Sequence, residues 1–477
     1  MSAAARAPLV ARLVSRFGPS ILPFADVATA ELPLPRLLRL GLLQFTVAMA
    51  TTLLAGTLNR VMIVELKMPA LIVGLMLAIP LLTAPFRALI GYRSDTHVSV
   101  LGWRRVPYIW CGTMLQFGGL AIMPVALFIL SGDTHGHPGV GMAASFFAFL
   151  CTGLGSHMVQ TAGLALATDI TPERDQPRVV ALLYVMLLVG MVVSSIVYGA
   201  LLRHFNKVVL IQVVQGAAEL TLLLNIFAVW KQEARGSAPT RKPAVPRARF
   251  LVAWRQFVTE APQLTRLLAA VGIGSFAFTL QDVLLEPFGG QVLHLDVAAT
   301  TLLTGVMAIG AIMSFAIAAK RASGGADPIR LSGVGAVAGM FGFALIILSG
   351  AIGSALLLMS GALLIGFGNG LFSIGTLLRV MSLPHKGEHG LALGAWGAVQ
   401  ATAAGCAMAI AGGIRDGVTS WTSRAGLAGA SQSAGYEVAY LAAIAGLFVL
   451  LIVLGPLAAR SRAEVRPVPF GIAEFPA

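Results

Sequence analysis

A dozen apolar runs, each about as long as a bilayer is thick, constrain this chain more than anything else in its sequence. Crossing hydrocarbon takes roughly 20 mostly apolar residues per helix. Runs of that kind fall at 37–64, 69–91, 107–130, 140–169, 178–203, 207–230, 265–287, 294–320, 329–350, 353–382, 388–414 and 435–459. Backbone amides in lipid need partners inside the protein, so such runs cross as helices. The expectation is an all-α integral membrane protein of twelve transmembrane helices. Composition agrees: 57% of the 477 residues are hydrophobic and 11% charged, outside the range of soluble domains.

The net charge of +13 does not point to nucleic acid, because the cations sit in short segments between apolar runs. They cluster at Arg6, Arg12 and Arg16; at Arg93, Arg104 and Arg105; from Lys231 to Arg249; at Lys320, Arg321 and Arg330; and at Arg460, Arg462 and Arg466. The intervening loops "SGDTHGHPGV" and "SGAIGS" carry none. Under the positive-inside bias both termini are cytoplasmic. The N-terminus has no signal-peptide pattern. Its "PLVARLVSRFG" sets Leu9, Val10, Leu13, Val14 and Phe17 against Arg12 and Arg16, as in a basic helix on a membrane surface. Lipid contact is preferred there to docking of a partner helix.

Cys111, Cys151 and Cys406 lie in apolar runs without a CxxC or Cys/His cluster, so neither disulfides nor zinc are indicated. No P-loop lysine, nucleophile elbow or HExxH is present, which argues against an enzyme. His135 and His137 read as solvated loop residues.

One connection is long, polar and proline-containing: 231–264, with "GSAPTRKPAVPRAR" at its centre. It divides the chain into a surface segment (1–36), a first bundle (37–230), the linker (231–264), a second bundle (265–460) and a tail (461–477). Internal echoes support two halves, since "TLNRVM" at 57 matches "TLQDVL" at 279 and "GLGSHM" at 153 matches "GFGNGL" at 366. Six helices per half make these repeats parallel.

Between the second and third runs, "GYRSDTHVSVLGWRRVP" carries Gly91, Asp95, Gly102, Arg104 and Arg105. It resembles the cytoplasmic loop motif of the major facilitator superfamily, with a longer Asp-to-Gly spacing. The expected fold is therefore that of the superfamily, two pseudo-symmetric six-helix bundles.

Further stretches narrow the likeness: "PFADVA" at 23, "ELPLPRLLRLGLLQ" at 31, "LNRVMIVEL" at 58, "PFRALIGYRSDTHVSVLGWRRVPYIW" at 85, "QFGGLAIMP" at 116 and "QDVLLEPFGG" at 281. Together they resemble the PucC/LhaA family of phototrophic bacteria, a chlorophyll-transporter-like branch of that superfamily. The resemblance implies an assembly factor for a light-harvesting complex, the core antenna around the reaction centre ahead of the peripheral antenna. It implies bacteriochlorophyll as a held cofactor. Implied partners are antenna polypeptides, the reaction centre–antenna complex, pigment-synthesis machinery and membrane lipid. The implied location is the bacterial inner, intracytoplasmic photosynthetic membrane. A secondary transporter or flippase of pigment or another small molecule is the alternative.

Ionisable residues inside a membrane cost several kcal/mol unless paired or wet, which makes each a functional candidate. Arg60 and Asp282 hold matching positions in the first and seventh helices, so they are expected to face one another, either as a structural bridge or as a binding or gating pair. Asn59, Glu65, Gln281 and Glu286 are candidates for an outer polar site, with Glu65 and Glu286 open to a reading as solvated interface carboxylates. His157, beside Gly153 and Gly155, is either an axial ligand for pigment magnesium or a hydrogen-bonding group between helices. Gln160, Asn369 and Gln400 offer oxygen ligands or interhelical hydrogen bonds. Asp169 is expected to pair with Arg87 or Arg379, whose long side chains reach the interface.

Overall fold

The computed structural model describes residues 33–84, 99, 102–130, 138–172, 175–233, 262–323, 325–382, 389–425 and 431–461. These residues form helices in chain order. Helix α1 begins at Leu34–Thr51 and runs on through π-helical turns at Thr52–Leu58 and Val61–Glu65. Next come α2 (Ala70–Leu82), α3 (Val106–Leu130), α4 (Pro138–Asp169), α5 (Gln176–Leu201) and α6 (Lys207–Val229). Helix α7 runs Pro262–Thr279, tightens to a 3₁₀ turn at Leu280–Val283 and resumes at Leu285–Gln291. The rest are α8 (Val297–Ser323), α9 (Pro328–Ile352), α10 (Ala355–Ser382), α11 (His389–Arg424) and α12 (Ser431–Ser461). Eleven of them are long and apolar enough to cross a membrane. The described part of α2 has 13 residues. The twelve expected runs are the twelve observed helices, and this is a multi-pass membrane protein.

Packing sorts the helices into two groups. In the first, α3 packs on α4 and α6, α1 on α4, α5 and α6, and α2 on α4; in the second, α10 packs on α8 and α9, and α12 on α7, α9 and α11. The groups meet where α2 packs on α11, α5 on α8, and α1 on α8. Six crossings return the chain to its starting side, so Pro33, Glu233, Pro262 and Ser461 share one end of the bundle, called the linker end below. Closeness at the α2–α11 contact depends on missing side chains. A Cβ at Gly74 would overlap the Met408 carbonyl, and one at Gly412 would overlap that of Ala70.

The linker end is fastened by carboxylates. Glu233, at the start of the long connection, accepts from the backbone N–H groups of Arg104 (2.6 Å), Arg105 (3.1 Å) and Val106 (2.9 Å). These are the donors that a helix N-terminus leaves without partners, so Glu233 caps α3. Arg36 Nε donates to Gln232 Oε1 at 3.0 Å and Arg39 to the Trp230 carbonyl at 2.7 Å, which ties the same segment to α1. Of the loop motif, Gly102 turns at φ 80°, and Arg105 pairs with Asp169 at 2.8 Å. Gly91 and Asp95 lie outside the described residues, as do Arg87 and the surface helix expected at the N-terminus. Asp169 pairs with Arg105 and not with Arg379, because the end of α4 lies beside the start of α3; the Arg87 alternative falls outside the described residues. Nor does Arg379 reach outward, for it is 6% exposed.

Gly74→Leu should lower thermal stability in detergent by about 1–3 kcal/mol through overpacking, while Gly118→Ala, with nothing within 4 Å of its Cβ, should leave it unchanged. Removing the cap with Glu233→Ala should cost about 1 kcal/mol. Glu233→Gln, which keeps an acceptor oxygen, should recover part of that loss in the same melting experiment.

Candidate functional site

The irregular parts of α1 and α7 lie side by side at the end opposite the linker, where Asn59, Arg60, Gln281 and Glu286 are buried. In an α-helix, residues five apart point about 140° away from each other. The π-helical turn at Val61–Glu65 instead runs its hydrogen bonds from i to i+5, which stacks position 65 over position 60. Arg60 accordingly forms its ion pair with Glu65 of its own helix. Its Nη2 also donates to the Leu295 carbonyl of the α7–α8 connection at 3.0 Å, and a Cβ at Gly290 would press on the guanidinium. The expected Arg60–Asp282 pair is therefore not formed. Equivalent sequence positions did not give facing side chains, because α1 unwinds where α7 tightens.

Asp282 bonds instead to its neighbour, accepting from Gln281 Nε2 at Oδ1. Its backbone carbonyl accepts from Asn59 Nδ2 at 3.2 Å, which crosses between the groups. Glu286 is 4% exposed and accepts from Thr304 Oγ1 at 2.9 Å, so the reading of it as a solvated interface carboxylate is corrected. One hydrophobic turn of α7 buries Leu285 and Phe288 together with it. Glu65 keeps 27% of its side chain exposed while paired.

His157 sits elsewhere, half-buried on α4, with Nε2 2.9 Å from the Pro80 carbonyl of α2. A carbonyl only accepts, so Nε2 carries the proton and is not available to a metal. The glycines beside it do not leave room for a flat ring. Space at Gly153 is taken by the Pro80 ring, and that at Gly155 by the α3 backbone at Gly112 and Gln116. These residues do not fit a pigment magnesium at Nε2, and the hydrogen-bonding alternative is the one observed. Gln160 donates to Gln44 at 3.4 Å and Gln400 to Ser373 at 3.4 Å. Asn369 is half-buried on α10, without a hydrogen-bond partner among the described residues. The histidine, glutamine and asparagine thus do not converge on one ligand. No group of three or more His, Cys, Asp or Glu able to hold a metal occurs among the described residues.

Sequence reasoning missed a second polar cluster. Asp416 of α11 accepts from the Leu71 N–H at 2.9 Å, capping α2 across the two groups. Beside it, Arg415 donates to Asp416 at 2.8 Å and to Gln291 Oε1 at 2.7 Å, with its guanidinium 5.3 Å from the Tyr436 ring centroid. Tyr436 donates to the same Gln291 oxygen at 2.8 Å. Adjacent opposite charges in "GGIRDG", within a long apolar helix, were the available signal. The side-chain hydrogen bonds that join the two groups among the described residues are Thr57–Thr301, Asn59–Asp282, Arg60–Leu295 and Leu71–Asp416. All four lie at the end away from the linker.

Comparison with known proteins places this geometry in context. Residues 57–462 match the family model described as PUCC protein. The chain is 53% identical over 410 residues to Protein PucC of Rhodovulum sulfidophilum, covering 85% of this chain and 90% of that one. It is 48% identical over 473 residues to an uncharacterized protein in the puhA-bchM intergenic region of Rhodobacter capsulatus, covering 98% and 99%. At 28% identity over 392 residues it is similar to the bacteriochlorophyll synthase 44.5 kDa chain of that organism, covering 80% and 87%. Among solved structures it resembles a bacterial homologue of the human lysosomal transporter Spinster, with TM-score 0.64, 13% identity, and coverage of 90% and 97%. That likeness shows the fold, a major facilitator arrangement. With a family match spanning most of its length and relatives near half identity, the chain belongs to the PucC family.

Proposed function

We propose that this protein is a non-catalytic assembly factor for a bacterial light-harvesting complex, holding antenna polypeptides and bacteriochlorophyll for insertion. The observation that carries this reading is the PucC family match over residues 57–462. The core antenna is kept ahead of the peripheral one on the sequence resemblance. The two helix groups correspond to halves at 37–230 and 265–460, and the protein acts in the photosynthetic membrane with both termini cytoplasmic. Pigment is assigned to no interior histidine, since His157 is committed to Pro80. Broad apolar faces such as that of α6, where Leu223 is 62% and Phe227 57% exposed, are available to lipid and to antenna helices alike.

A second reading, alternating-access transport of pigment or another small molecule, has its own support. Asp282 and Glu286 are held by an amide and a hydroxyl rather than by a cation. Carboxyls in that state inside a bundle are typical of proton and ion pathways.

Gentle purification from a phototrophic membrane, followed by absorption spectroscopy and mass spectrometry of everything retained, separates the two readings. The assembly role predicts co-purifying bacteriochlorophyll and antenna peptides. It also predicts that His157→Leu lowers the melting temperature yet keeps the pigment-to-protein ratio of the parent. A colourless, partnerless protein that drives gradient-dependent uptake in vesicles would establish the transporter reading instead.

A further inference from the structure

We propose that Asn59, Gln281, Asp282 and Glu286 form a site for one alkali cation of sodium's size at the contact between α1 and α7. Asn59 Oδ1, Gln281 Oε1 and Glu286 Oε2 are buried without a hydrogen-bond partner, in residues 0%, 1% and 4% exposed. A buried polar atom left this way costs about 1–3 kcal/mol, so three on the contacting stretches of α1 and α7 call for something that satisfies them.

The neighbouring bonds show that oxygen, not nitrogen, is the unmatched end of each amide. Asn59 spends its Nδ2 on the Asp282 carbonyl, and Gln281 spends its Nε2 on the Asp282 carboxylate. Flipping either amide would set oxygen against oxygen. Asn59 bonds to the Asp282 backbone, and Asp282 and Glu286 lie four residues apart on α7, so the groups share one stretch of the α1–α7 contact. Thr304 supplies a donor to the other Glu286 oxygen, Oε1.

Charge points the same way. Arg60, the cation nearest in sequence, is matched by Glu65, and neither Asp282 nor Glu286 has an ion-pair partner among the described residues. A water molecule would supply hydrogens but not charge, whereas a hard cation supplies charge and takes oxygen ligands. With one of the two carboxyls carrying a proton, a single positive charge neutralises the other, and the two amide oxygens complete its ligands. Asp282 is the least buried of the four.

The site does not depend on the assembly reading, and its test needs neither pigment nor antenna. The full chain, purified in detergent, is melted while sodium chloride is replaced by choline chloride at constant ionic strength. Sodium should raise the melting temperature saturably, through binding to the folded state. Asp282→Asn and Asn59→Ser should each raise the half-saturating concentration at least about tenfold, a loss of about 1.4 kcal/mol. Glu219→Gln, at an exposed position on α6, should not change it. Equilibrium binding of ²²Na⁺ to the unaltered protein provides a measurement that no misfolded variant can confuse. Equal melting in choline and sodium, an equal response to all salts, dependence on pH alone, or no bound ²²Na⁺ would each overturn the proposal.

Discussion

Hydrocarbon offers no solvent partner to a polar group, and the arrangement of α1 and α7 follows from that constraint. Each carries an amide and at least one charge in an apolar run, and each departs from α-helical winding where those residues lie. The departures re-aim side chains and carbonyls toward one another. Arg60 reaches Glu65 because the π-helical turn stacks them, and Asn59 reaches the Asp282 carbonyl at the 3₁₀ turn. Irregular helix is tolerated at membrane depth only where the freed groups find protein partners or a cavity, and here Asn59 and Arg60 find theirs partly in the opposite group of helices. A local winding defect and the cohesion of the two groups are therefore one feature.

At the linker end, among the described residues, Glu233, Asp169 and Gln232 make contacts within the first six helices and stiffen that group. At the opposite end, four side-chain hydrogen bonds join the groups, and close backbone approach of α2 and α11 adds van der Waals packing.

The helices were legible in the sequence because their signal is collective. About twenty apolar residues in a row outweigh any single substitution, and among the described residues observed ends lie within a few residues of the apolar runs, apart from a longer α11 and an α2 described only to Leu82. The site was legible only in membership. Asn59, Arg60, Gln281, Asp282 and Glu286 do gather at one place, since an intramembrane polar residue must find company. Their pairing was not legible, because it depends on winding that shifts a side chain by a fraction of a turn. "NRVMIVE" gives no α-helical reason for Arg60 to meet Glu65. Glu233 was hidden for another reason: among the charges of the linker a capping carboxylate looks like any solvated one, until α3 is seen beginning beside it.

Whether such a bundle still cycles is a question of energies. Each neutral hydrogen bond joining the groups is worth about 1 kcal/mol net, and one to a charged group about 1.5–3 kcal/mol. The four together are of the size, about 5.5 kcal/mol, that separates a state populated ninety-nine to one from its reverse. A ligand shifts that balance only by binding one state better than the other. Unmatched oxygens on α1 and α7 lie beside the Asn59–Asp282 bond that joins the groups, so whatever fills them acts on that contact directly.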